Sequence, residues 1–370
     1  MPVYPWTGNG KSSHGRRARG VDSWNSHRGA CCDSVALRSN QESPQMRSAI
    51  HARFGDPAEV LAPGDRPVPE PGKGEVRVRM RLAPIHNHDL FTIRGQYGWK
   101  PSLPAIGGSE GCGVVDAIGE GVEGFAPGQR VTTASARGTW AEYFLADARA
   151  LVPVPDAMPD EVAAQLVAMP LSALMLLESL AVGPGQWIVQ NAANGAVGKT
   201  LAMLAAARGV RVLGLVRREE GVAELAALGV EDVLCTQADG WRDAARERLG
   251  ADGARAAVDS VGGRASADLC SLLGHGGVLV SFGAMGGEPM HVPPGDVIFR
   301  DVQVRGFWGS RASREMPAER KRALFAELIQ RALDGQLRLP VDAIYDLEQV
   351  AEAAAASQRP GRGGKVLLRG

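Results

Sequence analysis

The hydrophobic pattern changes its period part-way along the chain. In GEVRVRMRL (74–82), apolar Val76, Val78, Met80 and Leu82 alternate with Arg77, Arg79 and Arg81. A period of two sets one face on a core and the other in water, which predicts a half-exposed strand. Short apolar runs between Gly/Pro turns continue to about residue 155 (GCGVVDAIG, APGQRVTT, WAEYFLA) and predict a curled all-β unit. MRSAIHARFGDP, from Met46, reads as its first strand, so the folded body is expected to start at 46.

From residue 159 the texture is different. PDEVAAQLVAMPLSALMLLESL opens with Pro159 and early acids, as a helix start should. Apolar strands then alternate with helices: QWIVQNA, helix 196–208, VRVLGLV, helix 219–228, DVLC, helix 241–249, AAVDSV, helix 264–273, GGVLVSFG. Short apolar strands between helices predict an α/β unit whose parallel sheet is covered on both faces. VQVRGF (302–307) reads as a late strand of that sheet, followed by one long helix over 317–334 and a final strand, GKVLLRG.

Length and charge narrow the picture. A chain of 370 residues is comfortable for two domains. Its 41 basic residues balance 41 acidic ones, so no global field steers it to nucleic acid or to a membrane. The first 45 residues differ, with Lys11, Arg16, Arg17, Arg19, Arg28 and Arg38 against Asp22, Asp33 and Glu42, and no periodic apolar pattern. They read as a disordered extension or an over-early start, with an Arg- and Ser-rich transit peptide as the alternative to a cytoplasmic protein. Five cysteines without framework spacing exclude a secreted disulfide scaffold; adjacent Cys31 and Cys32 are a weak metal or redox pair. No apolar run reaches the length of a membrane span.

IVQNAANGAVGKT (188–200) carries the chemistry. A dinucleotide turn must reverse tightly, bring backbone amides to a pyrophosphate, and let the next helix pack close to the strand. Gly195 and Gly198 suit the second and third needs; Ala193 suits the first if its φ stays negative. Asn191, Ala193, Asn194, Gly195, Ala196, Val197 and Gly198 are therefore the expected cofactor cradle, at a helix start that favours phosphate. The next strand ends in Arg217 and Arg218 with no acid at its tip, which points to the 2′-phosphate of NADPH rather than the free ribose of NADH.

With PSLPAIGGSEGCGVV, GVEGFAPGQRV, GTWAEY, VDSVGG, VSFGAMGG and GKVLL, the body from 46 to 370 resembles the zinc-independent branch of the medium-chain dehydrogenase/reductase superfamily. QNAANGAVG, RGQYG and RGFWGS are similar within it to the 2-enoyl thioester reductases, next to the quinone oxidoreductases. The resemblance implies a GroES-like β domain over 46–165 and 310–370 and a Rossmann domain over 166–309. It implies NADPH-dependent, metal-free reduction of an activated C=C bond, with a small-molecule enoyl thioester or quinone as substrate. A non-catalytic NADPH-binding protein is the alternative from another class. Tyr97 is the expected proton donor, Trp308 a wall of the active site, and His86 or Asn87 a lining of the substrate cleft, with His88 structural. Phe282, Gly283, Phe307, Trp308 and Lys365 are expected to complete the cofactor site. Where zinc-dependent relatives place a Cys and a His, this chain has His86 and Ser109; His86, His88 and Asp89 are the remaining metal possibility. Arg311, Arg314, Lys321 and Arg322 read as a solvated helix face, with a phosphopantetheine contact as the alternative. The edge strand 302–307 is expected to pair with its twin in a homodimer.

Overall fold

A computed structural model of the protein describes residues 43–370. The expectations for the tail, Cys31 and Cys32 included, lie outside the described residues. The alternating segment forms the strand Glu75–Pro84, with Val76, Val78, Met80 and Leu82 buried and the arginines on the other face. One of these is recruited rather than solvated: Arg77 donates through Nε to Asp116 Oδ2 at 2.7 Å on the neighbouring strand. This strand is central to a sheet ordered Val341–Asp346, Lys365–Arg369, Glu75–Pro84, Gly111–Ile118, Arg130–Thr133 and Val152–Pro153, and it also pairs with Tyr143–Asp147. A second small sheet joins Leu61–Pro67, Gln45–His51 and Ala105–Ile106. The last two strands of the chain thus return to the β sheet after a long excursion.

That excursion is a six-stranded sheet in which every pairing is parallel. Its order is Val233–Cys235, Arg211–Val216, Trp187–Gln190, Ala254–Asp259, Leu273–Ser281, Gln303–Gly306. Numbered along the chain this is 3-2-1-4-5-6, the doubly wound arrangement of dinucleotide-binding sheets. The strand order reverses between Trp187–Gln190 and Ala254–Asp259, which opens a crevice at their carboxyl ends. Helices form where the 3.6-residue period places them: Ala196–Ala207, Glu219–Ala226, Trp241–Leu249 and Arg264–Leu272. Buried Ile188, Leu201, Leu204, Val212 and Val258 pack the face of this sheet that also meets Leu82, Cys112 and Leu367 of the β unit. Each such aliphatic side chain contributes roughly 1.5–3 kcal/mol of burial.

Three helix expectations need correction. The single helix read from Pro159 is two, Asp160–Ala163 and Ala168–Leu180. The break serves Glu110, whose carboxylate takes the N–H groups of Val167 and Ala168 (2.8 and 2.7 Å). Pro170 is tolerated because it falls in the first turn of the second helix, where an N–H has no partner within the helix. The stretch after 305 carries Gly309–Glu315 as well as Ala318–Leu333, with Pro317 separating them. AEAAAAS belongs to a further helix, Val350–Ser357, whose small residues Ala353, Ala354 and Ala356 pack in the β-unit core with Val366 and Leu368.

Candidate functional site

The Trp187–Gln190 strand runs into the glycine turn at the topological reversal of the sheet. The residue in the left-handed region is Ala192, φ 48°, and not Ala193. Ala193 is instead buried beneath the turn, opposite Gly214, where an added Cβ would come within 3.0 Å of the Ala193 methyl. Gly195 caps the Ala196–Ala207 helix. A Cβ on Gly198 would meet the carbonyl oxygens of Ala193 at 2.6 Å and Ala192 at 2.9 Å, so only glycine lets this helix sit so close to the turn. The N–H groups of the helix's first turn have no partner inside the helix and carry the positive end of its dipole. A helix start of this kind favours phosphate groups.

Behind the turn stands a polar lock that joins the expected Asn191 to partners outside the expected residue set. Asn191 Nδ2 donates to Asp259 Oδ1 at 2.7 Å, and Asn191 Oδ1 accepts from Ser260 N at 2.7 Å. Asp259 also accepts from Val261 N and Gly262 N, both 2.9 Å, and from the Ser266 hydroxyl. Burial pushes the Asp259 carboxyl up, but the donors Gly262 N, Ser266, Asn191 and Val261 N outweigh it and hold it below the usual carboxylate range. Asn191 therefore ties together the two strand ends that bound the crevice, and its amide is already engaged. Asn194 and Lys199 both donate to Glu224, and Lys199 Nζ reaches Gly363 O at 3.1 Å, bringing the segment before the last strand against the cradle helix. The motif VDSVGG held the signal for Asp259: an acid at a strand tip followed by two glycines, both of positive φ.

Apart from Lys365, the other expected cofactor residues follow neighbouring strands on the same carboxyl edge. Arg217 and Arg218 follow the Arg211–Val216 strand, both exposed; Arg218 Nε is 4.0 Å from Glu220, and Arg217 makes no side-chain ion pair among the described residues. Phe282 and Phe307 stack at 6.1 Å after the fifth and sixth strands. A Cβ on Gly283 would press on Ser260 O at 3.1 Å. Trp308 caps the Gly309–Glu315 helix and is 65% exposed, with the Arg314 guanidinium 6.0 Å from its ring centre. A cavity of about 580 Å³ lies at the opposite edge around Gly209, Asp232 and Arg338 and contains none of these residues.

The second cluster surrounds the Asn87–Ile93 helix. The expected placements are partly reversed there. His86, read as lining a cleft, is 1% exposed, and its Nε2 stands 2.6 Å from Glu110 Oε2. Its Nδ1 is buried with no hydrogen-bond partner. Asn87 is exposed. His88, read as structural, keeps 29% of its side chain exposed and stacks on His86, ring centres 5.0 Å apart. His88 Nε2 donates to Ser109 Oγ, Ser109 Oγ donates to Asp89 Oδ1, both at 2.7 Å, and Asp89 Oδ2 accepts from His86 N at 3.0 Å. Tyr97, 43% exposed, lies with its ring 6.0 Å from His88. Lys365 approaches from the last strand, its Nζ 3.5 Å from Ile85 O. Burial, and then the Arg362 charge, hold its ammonium down at about 8. Burial pushes Glu110 up to about 7 against its two backbone donors, and burial followed by the Lys365 charge drives His86 well below an ordinary imidazole.

The alcohol dehydrogenase GroES-like domain model matches residues 72–156, and the zinc-binding dehydrogenase model matches residues 196–325. The human mitochondrial enoyl-[acyl-carrier-protein] reductase is 32% identical over 89% of this chain and 90% of its own length. The chain belongs to the medium-chain dehydrogenase/reductase superfamily. The Bos taurus enoyl-[acyl-carrier-protein] reductase is 31% identical, covering 90% and 91% of the two chains. A putative NADPH:quinone reductase from Bacillus thuringiensis superposes with a TM-score of 0.81 at 30% identity, over 89% of this chain and all of that one. A mycobacterial protein solved in complex with NADPH superposes at 0.77, with 30% identity over 88% of this chain and all of that one. The α/β architecture, a GroES-like unit with a six-stranded Rossmann sheet, is thus that of the superfamily, and the protein is an oxidoreductase of it.

One matching model is named for zinc, and the donor set here can be tested directly. His86 Nε2 is committed to Glu110 and His88 Nε2 to Ser109; both Asp89 oxygens are occupied. A serine hydroxyl is a poor substitute for thiolate or imidazole. Among the described residues no group of three or more His, Cys, Asp or Glu side chains converges as a ligand set. Nor is any described helix long and apolar enough to cross a membrane.

Proposed function

We propose that the protein is an NADPH-dependent, metal-free reductase of an activated C=C bond, with a 2-enoyl thioester as substrate. The observation that carries it is the half-exposed phenol of Tyr97, set over a polar network in a chain that resembles the enoyl-[acyl-carrier-protein] reductases along nine-tenths of its length. NADPH, when bound, supplies the hydride. The residues that would hold it are the cradle 191–198, with Arg217 and Arg218 for a 2′-phosphate and Phe282, Gly283, Phe307, Trp308 and Lys365 around it. In an enoyl thioester a hydride adds at the β carbon and charge spreads to the thioester oxygen, so no metal is needed to polarise the bond. Tyr97, a phenol, donates the proton that the α carbon takes.

The superposition on quinone reductases favours a second reading, with a quinone as acceptor. NADPH oxidation by the purified chain with trans-2-hexenoyl-CoA and with 9,10-phenanthrenequinone, with and without a chelator, separates them. Faster, chelator-insensitive turnover of the thioester is expected. Turnover of the quinone alone moves the protein to the second reading, and silence with both overturns reduction in favour of a non-catalytic NADPH-binding protein.

We infer a homodimer through the free edge of the six-stranded sheet. Gln303–Gly306 is exposed along its length, and Met285, Val297, Ile298 and Phe299 (79% exposed) extend an apolar surface beside it. Phe299→Asp should halve the mass in light scattering; a wild-type monomer sinks the idea. The working location is the cytoplasm. Import of a C-terminally tagged full chain into mitochondria, the compartment in the relatives' names, would overturn it.

A further inference from the structure

The Asn87–Ile93 helix start holds more polar machinery than a helix cap requires. Capping needs only the Asp89 carboxylate on His86 N. The network goes on: the other Asp89 oxygen takes the Ser109 hydroxyl, and Ser109 in turn accepts from His88. Asp89 is buried and can only accept while ionised, so the direction of each hydrogen bond follows. Ser109 must give its proton to Asp89, and its lone pair must receive His88 Nε2–H. This fixes the His88 tautomer and leaves Nδ1 with no hydrogen-bond partner among the described residues. The ring that carries it is held between His86 and Tyr97 and retains 29% exposure to water.

We propose that Asp89, Ser109 and His88 form a proton-supply line for Tyr97, in which His88 Nδ1–H restores the phenol after each reduction. The inference rests on the reductase reading above. In that reaction a hydride forms the new C–H bond at the β carbon, and the π electrons of the double bond move to the α carbon and thioester oxygen. The Tyr97 O–H bond breaks, its proton bonds to the α carbon, and a phenolate remains. His88 imidazolium returns a proton to the phenolate and becomes neutral, and water recharges it. One hydride and one solvent proton are consumed per turnover.

Imidazole changes charge near neutral pH and phenol does not, which is why the two make a useful pair. The Asp89 carboxylate lies 3.5 Å from His88 Nε2. The other titratable groups facing His88 are His86, Glu110 from before the Gly111–Ile118 strand, and Tyr97 itself, while Lys365 from the last strand interacts with Glu110 and Asp89. His88 acts through Tyr97, so it is a positioning and proton-supplying residue.

The test uses the full chain and whichever of the two acceptors the wild type turns over. His88→Gln keeps an N–H for Ser109 but cannot carry a proton. We expect kcat to fall at least tenfold while KM for NADPH and Tm hold. The wild-type loss of kcat with rising pH should disappear, and added imidazole should restore part of the rate. On a Tyr97→Phe background His88→Gln should cost nothing further. If His88→Gln lowers Tm, Ser109→Ala decides, with a smaller fall in kcat and the same altered pH profile expected. Unchanged kcat and pH dependence in both variants overturn the supply line alone. A wild type silent with both acceptors overturns the reductase reading, and the supply line with it.

Discussion

The two clusters of this protein are built on opposite principles. The cradle at 191–198 is a backbone site: two glycines, a left-handed Ala192 and a helix start present N–H groups, and the side chains nearby serve to hold strands in place. The cluster at His86 is a side-chain site, in which residues 86, 88, 89, 97, 109, 110 and 365 meet from four separate stretches of chain. The first tolerates little change in shape and much in chemistry. The second should show the reverse.

The largest effect should come from breaking the shape of the first. Gly198→Val drives a branched side chain into the Ala192 and Ala193 carbonyls. It should abolish measurable NADPH binding by fluorescence and lower stability by roughly 1–3 kcal/mol; retained binding would show that the helix need not pack so closely. Next comes the chemistry of the second. Tyr97→Phe removes one oxygen and should lower kcat about a hundredfold with NADPH affinity unchanged. An equally active variant would return Tyr97 to a shielding role.

A smaller effect tests whether chemistry counts at the cradle's rim. Arg217→Ala should raise KM for NADPH about tenfold, roughly 1.4 kcal/mol, and leave KM for NADH alone. Equal shifts for both would mean that no guanidinium reads the 2′-phosphate. The smallest concerns pH. The Glu110 carboxyl is raised by burial to about 7, so the folded chain holds its proton more tightly than the unfolded chain does. That contribution is complete below the ordinary 4.5 and is lost as pH rises through about 7. Glu110→Gln keeps the acceptor for Val167 and Ala168 N–H, so the stability advantage of wild type over this variant should shrink between pH 4.5 and 7 in denaturant titrations. An advantage that grows would mean His86, whose depressed imidazole works in the opposite sense, governs the pair.

The difference in construction also governs what could be read without coordinates. The cradle was legible because its parts are contiguous: strand, glycines and helix lie within 188–207, and the strand order then puts Arg217, Phe282 and Phe307 on the same edge. Even there the left-handed residue, Ala192, was not named in advance, although Ala193, as required of it, stays outside the positive-φ region. Around residue 86 the residue types were visible, but which of the two histidines is buried was not. His86 and His88 differ by two positions, and which one is buried depends on Glu110 arriving from another strand.

Period, composition and local motif by themselves determined the α/β class, nearly every strand and helix of the Rossmann sheet, and the place of the glycine turn at 191–198. These depend on interactions between residues close in sequence, where the alternation of side chains has a fixed geometric meaning. Tertiary structure alone decided that the 159–180 segment breaks to feed Glu110, that Asn191 locks Asp259, and that His88 rather than His86 faces Tyr97. Burial of a polar group is affordable only when a partner from elsewhere satisfies it, and that partner's arrival is a property of the fold.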